Sequence, residues 1–248
     1  MEGNITGRLP LLDALRGFAI INVVIYHFLY DIYVIYDIMP EWPDLLFVSL
    51  WQRTGCSLFV LLAGMALHLG RHTLRHGLEL SVLGLVIMLA THWLLPSEAI
   101  YYGILTFFGC AILTGWLLRP LLGRITPVGG LIFCVLGYLF TQDISSGWVE
   151  IAGERLWQWP QALYDDRLAI LGFHGSTFAS ADYVPLLPHI FVFLGGWFLY
   201  AWLERGGRLH WLTYGELKIL TLPGRHSLLI YLVHQPLLLG VCRVVFGC

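Results

Sequence analysis

The sequence predicts an all-α integral membrane protein, built as a bundle of about seven transmembrane helices. Of its 248 residues, 58% are hydrophobic and only 12% are charged, and the mean hydropathy is +0.74, values far from those of a soluble domain. Apolar runs recur along the whole chain, and most approach the roughly 20 residues that a helix needs to cross a bilayer. Because no long linker divides these runs, residues 1–248 are expected to form one transmembrane domain.

The seven predicted spans follow one another with loops between them. The first lacks the small-residue cleavage site of a signal peptide, so it is expected to be a retained anchor. The fifth is the weakest, since it is short and contains Gly129, Gly130 and Gly137. The spans lie at about residues 14–36, 47–69, 77–95, 100–118, 127–141, 186–204 and 225–246.

The loops alternate in charge along the chain. Cations concentrate in one set of alternate loops, and acids concentrate in the other set. By the positive-inside rule the basic loops are cytoplasmic, which predicts a cytoplasmic N-terminus and an external C-terminus. The basic set contains Arg8, Arg71, Arg75, Arg119, Arg124, Arg205, Arg208, Lys218 and Arg225, whereas the acidic set contains Asp37, Glu41, Asp44, Glu98, Asp143, Glu150, Glu154, Asp165, Asp166 and Asp182 with only Arg155, Arg167 and Arg243.

The longest loop, residues 142–185, is external in this orientation and contains several tryptophans among its acids. We expect a short interfacial helix over Glu154–Tyr164, with its tryptophans at the level of the lipid headgroups. The alternative is a surface on which carbohydrate stacks. The Gly-, Ser- and Ala-rich stretch Gly172–Tyr183 is expected to be a loop that returns to the membrane.

Several function classes find no support in the sequence. No Gly-rich phosphate loop, nucleotide fingerprint or basic aromatic patch is present, so we expect no binding of nucleic acid. The histidines lack the spacing of a metal site, and we expect no bound metal. The cysteines lack paired spacing and are interpreted as small core residues without disulfides. They are Cys56, Cys110, Cys134, Cys242 and Cys248.

A row of ionisable residues on the first span, here called the polar seam, consists of Asp13, Arg16, His27 and Asp31. Arg16 and His27 are eleven residues apart, which is three helical turns plus roughly 20°, so they share one face about 16 Å apart. Ionisable groups are costly inside a bilayer and tend to mark substrate paths, relays or reaction centres. The alternative is a snorkelling Arg16, an interfacial Asp31 and a His27 that only bonds a neighbouring helix.

The four-residue spacing of His27 and Asp31 is typical of a general base with its orienting carboxylate. An imidazole held in this way suits removal of a proton from an attacking hydroxyl or amine. No side-chain nucleophile is placed to complete the arrangement, so the nucleophile is either the substrate or His27 itself. Arg53 either pairs with Asp31 or stabilises negative charge. His234 precedes Pro236 in the last span and lines a cavity or is a core histidine.

The segment Leu12-Asp13-Ala14-Leu15-Arg16-Gly17, followed by apolar residues to His27, resembles the opening of the transmembrane acyltransferase superfamily. In that superfamily an Arg or Lys, ten residues and a His recur in the first helix. The remainder resembles the short bacterial relatives of heparan-alpha-glucosaminide N-acetyltransferase, a family formerly of unknown function. The matching stretches are residues 26–31, 102–105, 182–188 and 224–236, which read YHFLYD, YGIL, DYVPLLP and GRHSLLIYLVHQP.

The resemblance implies a membrane acyltransferase of the bacterial cytoplasmic (inner) membrane. It implies transfer of an acyl group, acetyl above all, from cytoplasmic acyl-coenzyme A to an amino-sugar or glycan on the external side. His27 and Asp31 would be catalytic, and no metal is implied. The candidate substrate or oxyanion residues are Arg53, Asp182 and His234, and those for the coenzyme are Asp13, Arg16, Arg71, Arg225 and His226.

Two other classes of function remain open at the level of sequence. A small proton-coupled transporter could use the same His, Asp and Arg residues as a relay, although no inverted repeat is apparent. A non-catalytic membrane subunit would require the polar seam to face packed neighbours only. The sequence also leaves open the acceptor, the acyl length, formation of an acyl-enzyme and assembly into a homo-oligomer.

Overall fold

The computed structural model describes residues 9–151, 153–214 and 217–246, so Arg8 and Cys248 lie outside the described residues. In these ranges seven helices are long and apolar enough to cross a membrane. The predicted all-α bundle of seven spans is therefore confirmed, with bounds that differ by a few residues. The spans are Pro10–Ile35, Leu46–Ala66, Thr73–Leu94, Ile104–Leu122, Pro127–Ser146, Leu186–Arg205 and Ser227–Phe246.

Eight α-helices and one β-hairpin form the regular structure of the described residues. The helices are α1 Pro10–Tyr30, α2 Leu46–Ala66, α3 Thr73–Leu94, α4 Ile104–Leu122, α5 Pro127–Thr141, α6 Leu186–Arg205, α7 Lys218–Arg225 and α8 Ser227–Phe246, and the strands are β1 Trp148–Ile151 and β2 Glu154–Gln158. The residues fall into two compact units, one comprising the chain up to Leu62 together with that from Leu203 onward, the other comprising Ala63–Trp202.

In the first unit, α1 packs against both α7 and α8. The contact with α7 is so close that only glycine fits at two positions. A Cβ atom on Gly17 would lie 1.8 Å from the carbonyl oxygen of Leu220, and one on Gly224 would lie 1.8 Å from that of Asp13. Small residues that let two helix backbones approach are typical of packing between membrane helices.

The chain between α6 and α8 differs from the sequence prediction. The last span was expected to begin at residue 225, but Arg225 is the last residue of α7, and α8 begins at Ser227. The apolar run of α8 hides this boundary in the sequence. Pro223 and Gly224, which would suggest a break between helices, lie within α7. Helix α8 continues through Pro236.

The second unit contains α3 to α5, the hairpin and most of α6. Helices α3 and α4 pack closely through small residues. A Cβ atom on Gly84 would lie 2.7 Å from the amide nitrogen of Thr106, and one on Gly109 would lie 2.7 Å from that of Ser81. These positions therefore fix how α3 and α4 pack on each other.

The hairpin replaces the interfacial helix predicted over Glu154–Tyr164, and that prediction is wrong. Strands β1 and β2 pair in antiparallel fashion, with Trp148 opposite Gln158. Two features favour strands here: Val149 is buried while its neighbours are not, and Gly153 has a φ of +84°, which suits a tight turn. The predicted loop Gly172–Tyr183 is confirmed as irregular chain.

Candidate functional site

The polar seam faces α7 and α8 within the first unit. Helix α1 is regular from Pro10 to Tyr30, so Arg16 and His27 keep the shared face that their spacing predicts. The next turn, Asp31–Ile35, widens to a π-helix, and single π turns inside α-helices occur frequently at functional sites. Contacts at both ends of the seam show that it faces other helices.

At one end, Asp13 lies between two arginines, and we call Asp13, Arg16 and Arg225 the basic cluster. Oδ1 of Asp13 lies 3.6 Å from Nη1 of Arg16, and its Oδ2 accepts a hydrogen bond from Nε of Arg225 at 3.3 Å. All three side chains are partly exposed. One carboxylate between two guanidinium groups leaves a net positive charge, and guanidinium groups bind phosphate well.

At the other end, two histidines from different spans come together. The ring centroids of His27 and His234 are 5.0 Å apart, with the ring planes at 64°. His234 is 6% exposed, and its Nδ1 contacts the carbonyl oxygen of Tyr231. Because a carbonyl only accepts, Nδ1 of His234 carries the proton, so Nε2 of the neutral ring has a lone pair that can accept one.

Asp31 follows His27 by one helical turn and is completely buried, with 0% of its surface exposed. Its Oδ1 accepts a hydrogen bond from Nε2 of Gln235 at 2.8 Å. Helix α8 therefore covers this carboxylate. We call His27, Asp31, His234 and Gln235 the histidine cluster; a buried carboxylate is costly unless polar groups satisfy it.

Gln235 was not among the predicted site residues, and the sequence did not predict its contact with Asp31. Its partner Asp31 is 204 residues away in the sequence, so no local pattern relates the two. The signal available in the sequence was the requirement that a buried carboxylate have a hydrogen-bond donor. Gln235, next to His234, is an amide donor in the last span.

An aromatic group next to His27 was also not predicted. The ring of Tyr26 lies 5.3 Å from that of Trp42 and 5.7 Å from that of Trp51. Nε1 of Trp51 donates to Oδ1 of Asn22 at 3.2 Å. These contacts join α2 to α1 at Asn22 and at Tyr26, the residue before His27. They therefore support the part of the α1 backbone that contains His27.

The other predicted site residues lie elsewhere. Arg53 is exposed on α2, and His226 is exposed at the junction of α7 and α8. In the second unit, Arg71 is exposed in the turn between α2 and α3. Asp182 accepts a hydrogen bond at 3.5 Å from the backbone N–H of Ile104, at the start of α4. This hydrogen bond indicates that Asp182 positions the start of α4.

Outside the spans, His68 in the second unit has a lowered pKa. Its Nε2 donates to the carbonyl oxygen of Trp197 at 3.0 Å, and its ring stacks 3.6 Å from Trp197 and 4.5 Å from Tyr200. Burial lowers the pKa of His68 to about 4, which outweighs the opposing effect of this hydrogen bond, and the charge of Arg119 lowers it further. His68 is therefore neutral at physiological pH.

Among the residues that the structure describes, no three His, Cys, Asp or Glu side chains are grouped to hold a metal ion. Four of the predicted core cysteines are free thiols, two of them buried, whereas Cys248 lies outside the described ranges. The four are Cys56, Cys110, Cys134 and Cys242.

Seven spans and a buried polar site between the first and the last of them define a multi-pass integral membrane protein. Residues 8–236 match the model of the heparan-alpha-glucosaminide N-acetyltransferase catalytic family. The chain belongs to this family, which confirms the resemblance seen in the sequence and indicates a membrane acyltransferase. No significant match occurs among curated proteins or solved structures.

Proposed function

We propose that the protein transfers an acyl group, acetyl above all, from cytoplasmic acyl-coenzyme A to an amino-sugar or glycan acceptor on the external side of a bacterial cytoplasmic membrane. The observation that carries this proposal is the histidine cluster. It places His27 5.0 Å from a second histidine, beside a buried carboxylate that Gln235 holds. Membership of the acetyltransferase family supports the class of reaction.

The basic cluster is the candidate site for the phosphates of the donor. Arg16 and Arg225 provide two guanidinium groups on neighbouring helices, both oriented by Asp13. Arg71 and His226 are exposed and stay predicted donor contacts. Arg16 and His27 are eleven positions apart along the helix, about 16 Å, so an extended donor bound at Arg16 could reach toward the histidine cluster with its thioester.

In the proposed reaction, an amine or hydroxyl of the acceptor attacks the thioester carbonyl. The new C–N or C–O bond forms, the C–S bond breaks, and His27 takes the proton that the acceptor loses. The departing thiolate of coenzyme A then takes up a proton. His234 can share the proton with His27, while Asp31 with Gln235 orients the pair; Arg53 and Asp182 stay predicted substrate residues. His27 as a transient acyl carrier is the other route.

The test separates donor binding from transfer. Purified protein is incubated with acetyl-coenzyme A and a panel of amino-sugars, coenzyme A release is measured, and donor affinity is measured by calorimetry. Arg16→Ala should weaken donor binding, because a phosphate contact acts before and during the reaction. His27→Ala should bind the donor normally and abolish transfer, because a base acts only as the proton moves.

Arg124, an exposed arginine in a loop that is predicted to be cytoplasmic, provides the control, since Arg124→Ala removes a cation outside the basic cluster. If Arg16→Ala and His27→Ala lose donor binding equally, the assignment of the two clusters is wrong. If the unchanged protein binds no acyl-coenzyme A, a transporter that uses the same residues as a proton relay replaces the enzyme.

A further inference from the structure

The segment that joins α6 to α8 presents apolar and basic side chains outward. It contains the 3₁₀ helix Leu209–Thr213 and helix α7, both of which pack on α1. Between residues 203 and 226 the sequence has four Lys or Arg against two Glu; one of these, Glu216, lies outside the described residues. The segment therefore has a net positive charge and lies between two spans.

Helix α7 has two opposite faces. At 100° per residue, Thr221 and Gly224 lie about 60° apart on one side of the helix, whereas Ile219 and Leu222 lie on the other side. Thr221 and Gly224 are buried, and Gly224 contacts α1. Ile219 is 78% exposed and Leu222 is 61% exposed. A helix this short and this apolar on its outer face needs an apolar surrounding on that side.

A cation lies next to this apolar face. Lys218 is exposed and lies about 40° around the helix from Leu222. In the preceding 3₁₀ helix, the guanidinium of Arg208 lies 5.8 Å from the ring centre of Trp211, and Trp211 itself is half exposed. Tryptophan with a nearby cation is typical of the level at which lipid headgroups meet the hydrocarbon.

The apolar face continues onto the adjoining span. Leu228 and Leu229, at the start of α8, are exposed, as residues that face lipid in a membrane span must be. Exposed apolar side chains therefore occur both on α7 and at the start of α8. Lys218 and Arg208 are cations of the same segment.

We propose that the segment from Arg208 to Leu222 is a binding surface for anionic lipid. Ile219, Leu222 and Trp211 insert at the upper level of the acyl chains, and Lys218 and Arg208 bind the negatively charged phosphate of the headgroup. Each Lys or Arg near a charged membrane surface strengthens binding by about fivefold. Because Asp13 holds Arg225, the surface does not depend on the basic cluster.

The experiment titrates the detergent-purified full chain with phosphatidylglycerol or phosphatidylcholine and counts bound lipid by native mass spectrometry. Lys218→Ala and Arg208→Ala should each weaken phosphatidylglycerol binding by about fivefold, whereas the control Arg124→Ala and all phosphatidylcholine binding should be unchanged. Equal loss in all three variants, or equal binding of the two lipids, would overturn the proposal. Displacement of the lipid by the same concentration of inorganic phosphate would also overturn it, since that indicates an anion site without lipid specificity.

A second measurement needs no variant. Amide hydrogen exchange of residues 217–225 is followed in nanodiscs of phosphatidylcholine with and without phosphatidylglycerol. Anionic lipid should slow exchange in α7, because binding holds the helix on the membrane. Identical exchange in the two kinds of nanodisc contradicts the proposal, even if Arg208→Ala fails to fold.

Discussion

At the scale of single residues, Asp31 is the residue of the site whose charge is most costly to bury. It is completely buried inside a membrane protein, and a charge there is expensive unless neighbouring groups stabilise it. Gln235 donates one hydrogen bond to it, and the π turn of α1 begins at the same residue.

We expect Asp31→Asn to lower the turnover of acyl transfer by roughly 10²-fold or more, because a catalytic base that loses its carboxylate also loses its preferred tautomer. The amide has the same shape, so the protein should still purify as a folded monomer or oligomer. Turnover is measured by coenzyme A release. The matched control is Asp44→Asn, an exposed aspartate in the loop that follows the same helix. Turnover of Asp31→Asn close to that of the unchanged protein would show that the carboxylate is only structural.

His68 provides a residue-scale prediction about pH. Its pKa is lowered to about 4 in the folded protein, compared with about 6.5 in an unfolded chain. The unfolded state therefore binds the proton more readily between these values. The stability contributed by neutral His68 is present above about pH 6.5 and is lost progressively as the pH falls toward 4.

The measurement is the thermal unfolding temperature of detergent-solubilised protein at several pH values between 7 and 4. His68→Gln keeps an N–H donor for the carbonyl of Trp197 but has no proton to gain. The unchanged protein should lose stability more steeply than His68→Gln across this range. Parallel curves would mean that other groups cause the pH dependence.

At the scale of elements, the contact between α1 and α7 contributes to both binding sites proposed for the first unit. One is the basic cluster, proposed to bind the phosphates of the donor, and the other is the surface proposed to bind anionic lipid. It brings Arg225 to Asp13, and it fixes which face of α7 points outward. The contact depends on two glycines that allow the helix backbones to touch. Because helices this short are marginal by themselves, α7 is held by this packing.

Gly224→Ala should therefore destabilise the protein strongly, since its Cβ would lie 1.8 Å from the carbonyl oxygen of Asp13 and overpacking costs about 1–3 kcal/mol or more. The matched control is Gly240→Ala in α8, where a Cβ would meet nothing within 4 Å. Alanine is the better helix former by about 1 kcal/mol. Unfolding temperatures measured by size-exclusion chromatography after heating should fall for Gly224→Ala and stay level or rise for Gly240→Ala. The reverse order would exclude tight packing at Gly224.

At the scale of the whole molecule, the sequence predicts what depends on local pattern and misses what depends on distant contacts. The seven spans follow from hydropathy, and the seam follows from the helical repeat, so both could be predicted. The bond between Gln235 and Asp31 joins positions 204 residues apart, which no periodicity shows. Helix α7 was missed because its apolar residues run into the last span, and the hairpin was missed because strand pairing decides its structure.

The last prediction concerns how the chain lies in the membrane. An odd number of spans predicts termini on opposite sides of the membrane, and the alternation of basic and acidic loops predicts that Arg124 is cytoplasmic and Ser146 external. The proposed function needs this orientation, since the donor is cytoplasmic and the basic cluster must face it.

The orientation is measured with Ser146→Cys and Arg124→Cys in intact cells, using a thiol reagent that does not cross membranes. Ser146→Cys should react in intact cells, and Arg124→Cys should react only after the membrane is made permeable. The unchanged protein gives the background, and its described cysteines lie within spans. Reaction of Arg124→Cys in intact cells would place the basic loops outside, where the guanidinium groups of Arg16 and Arg225 could not meet a cytoplasmic coenzyme.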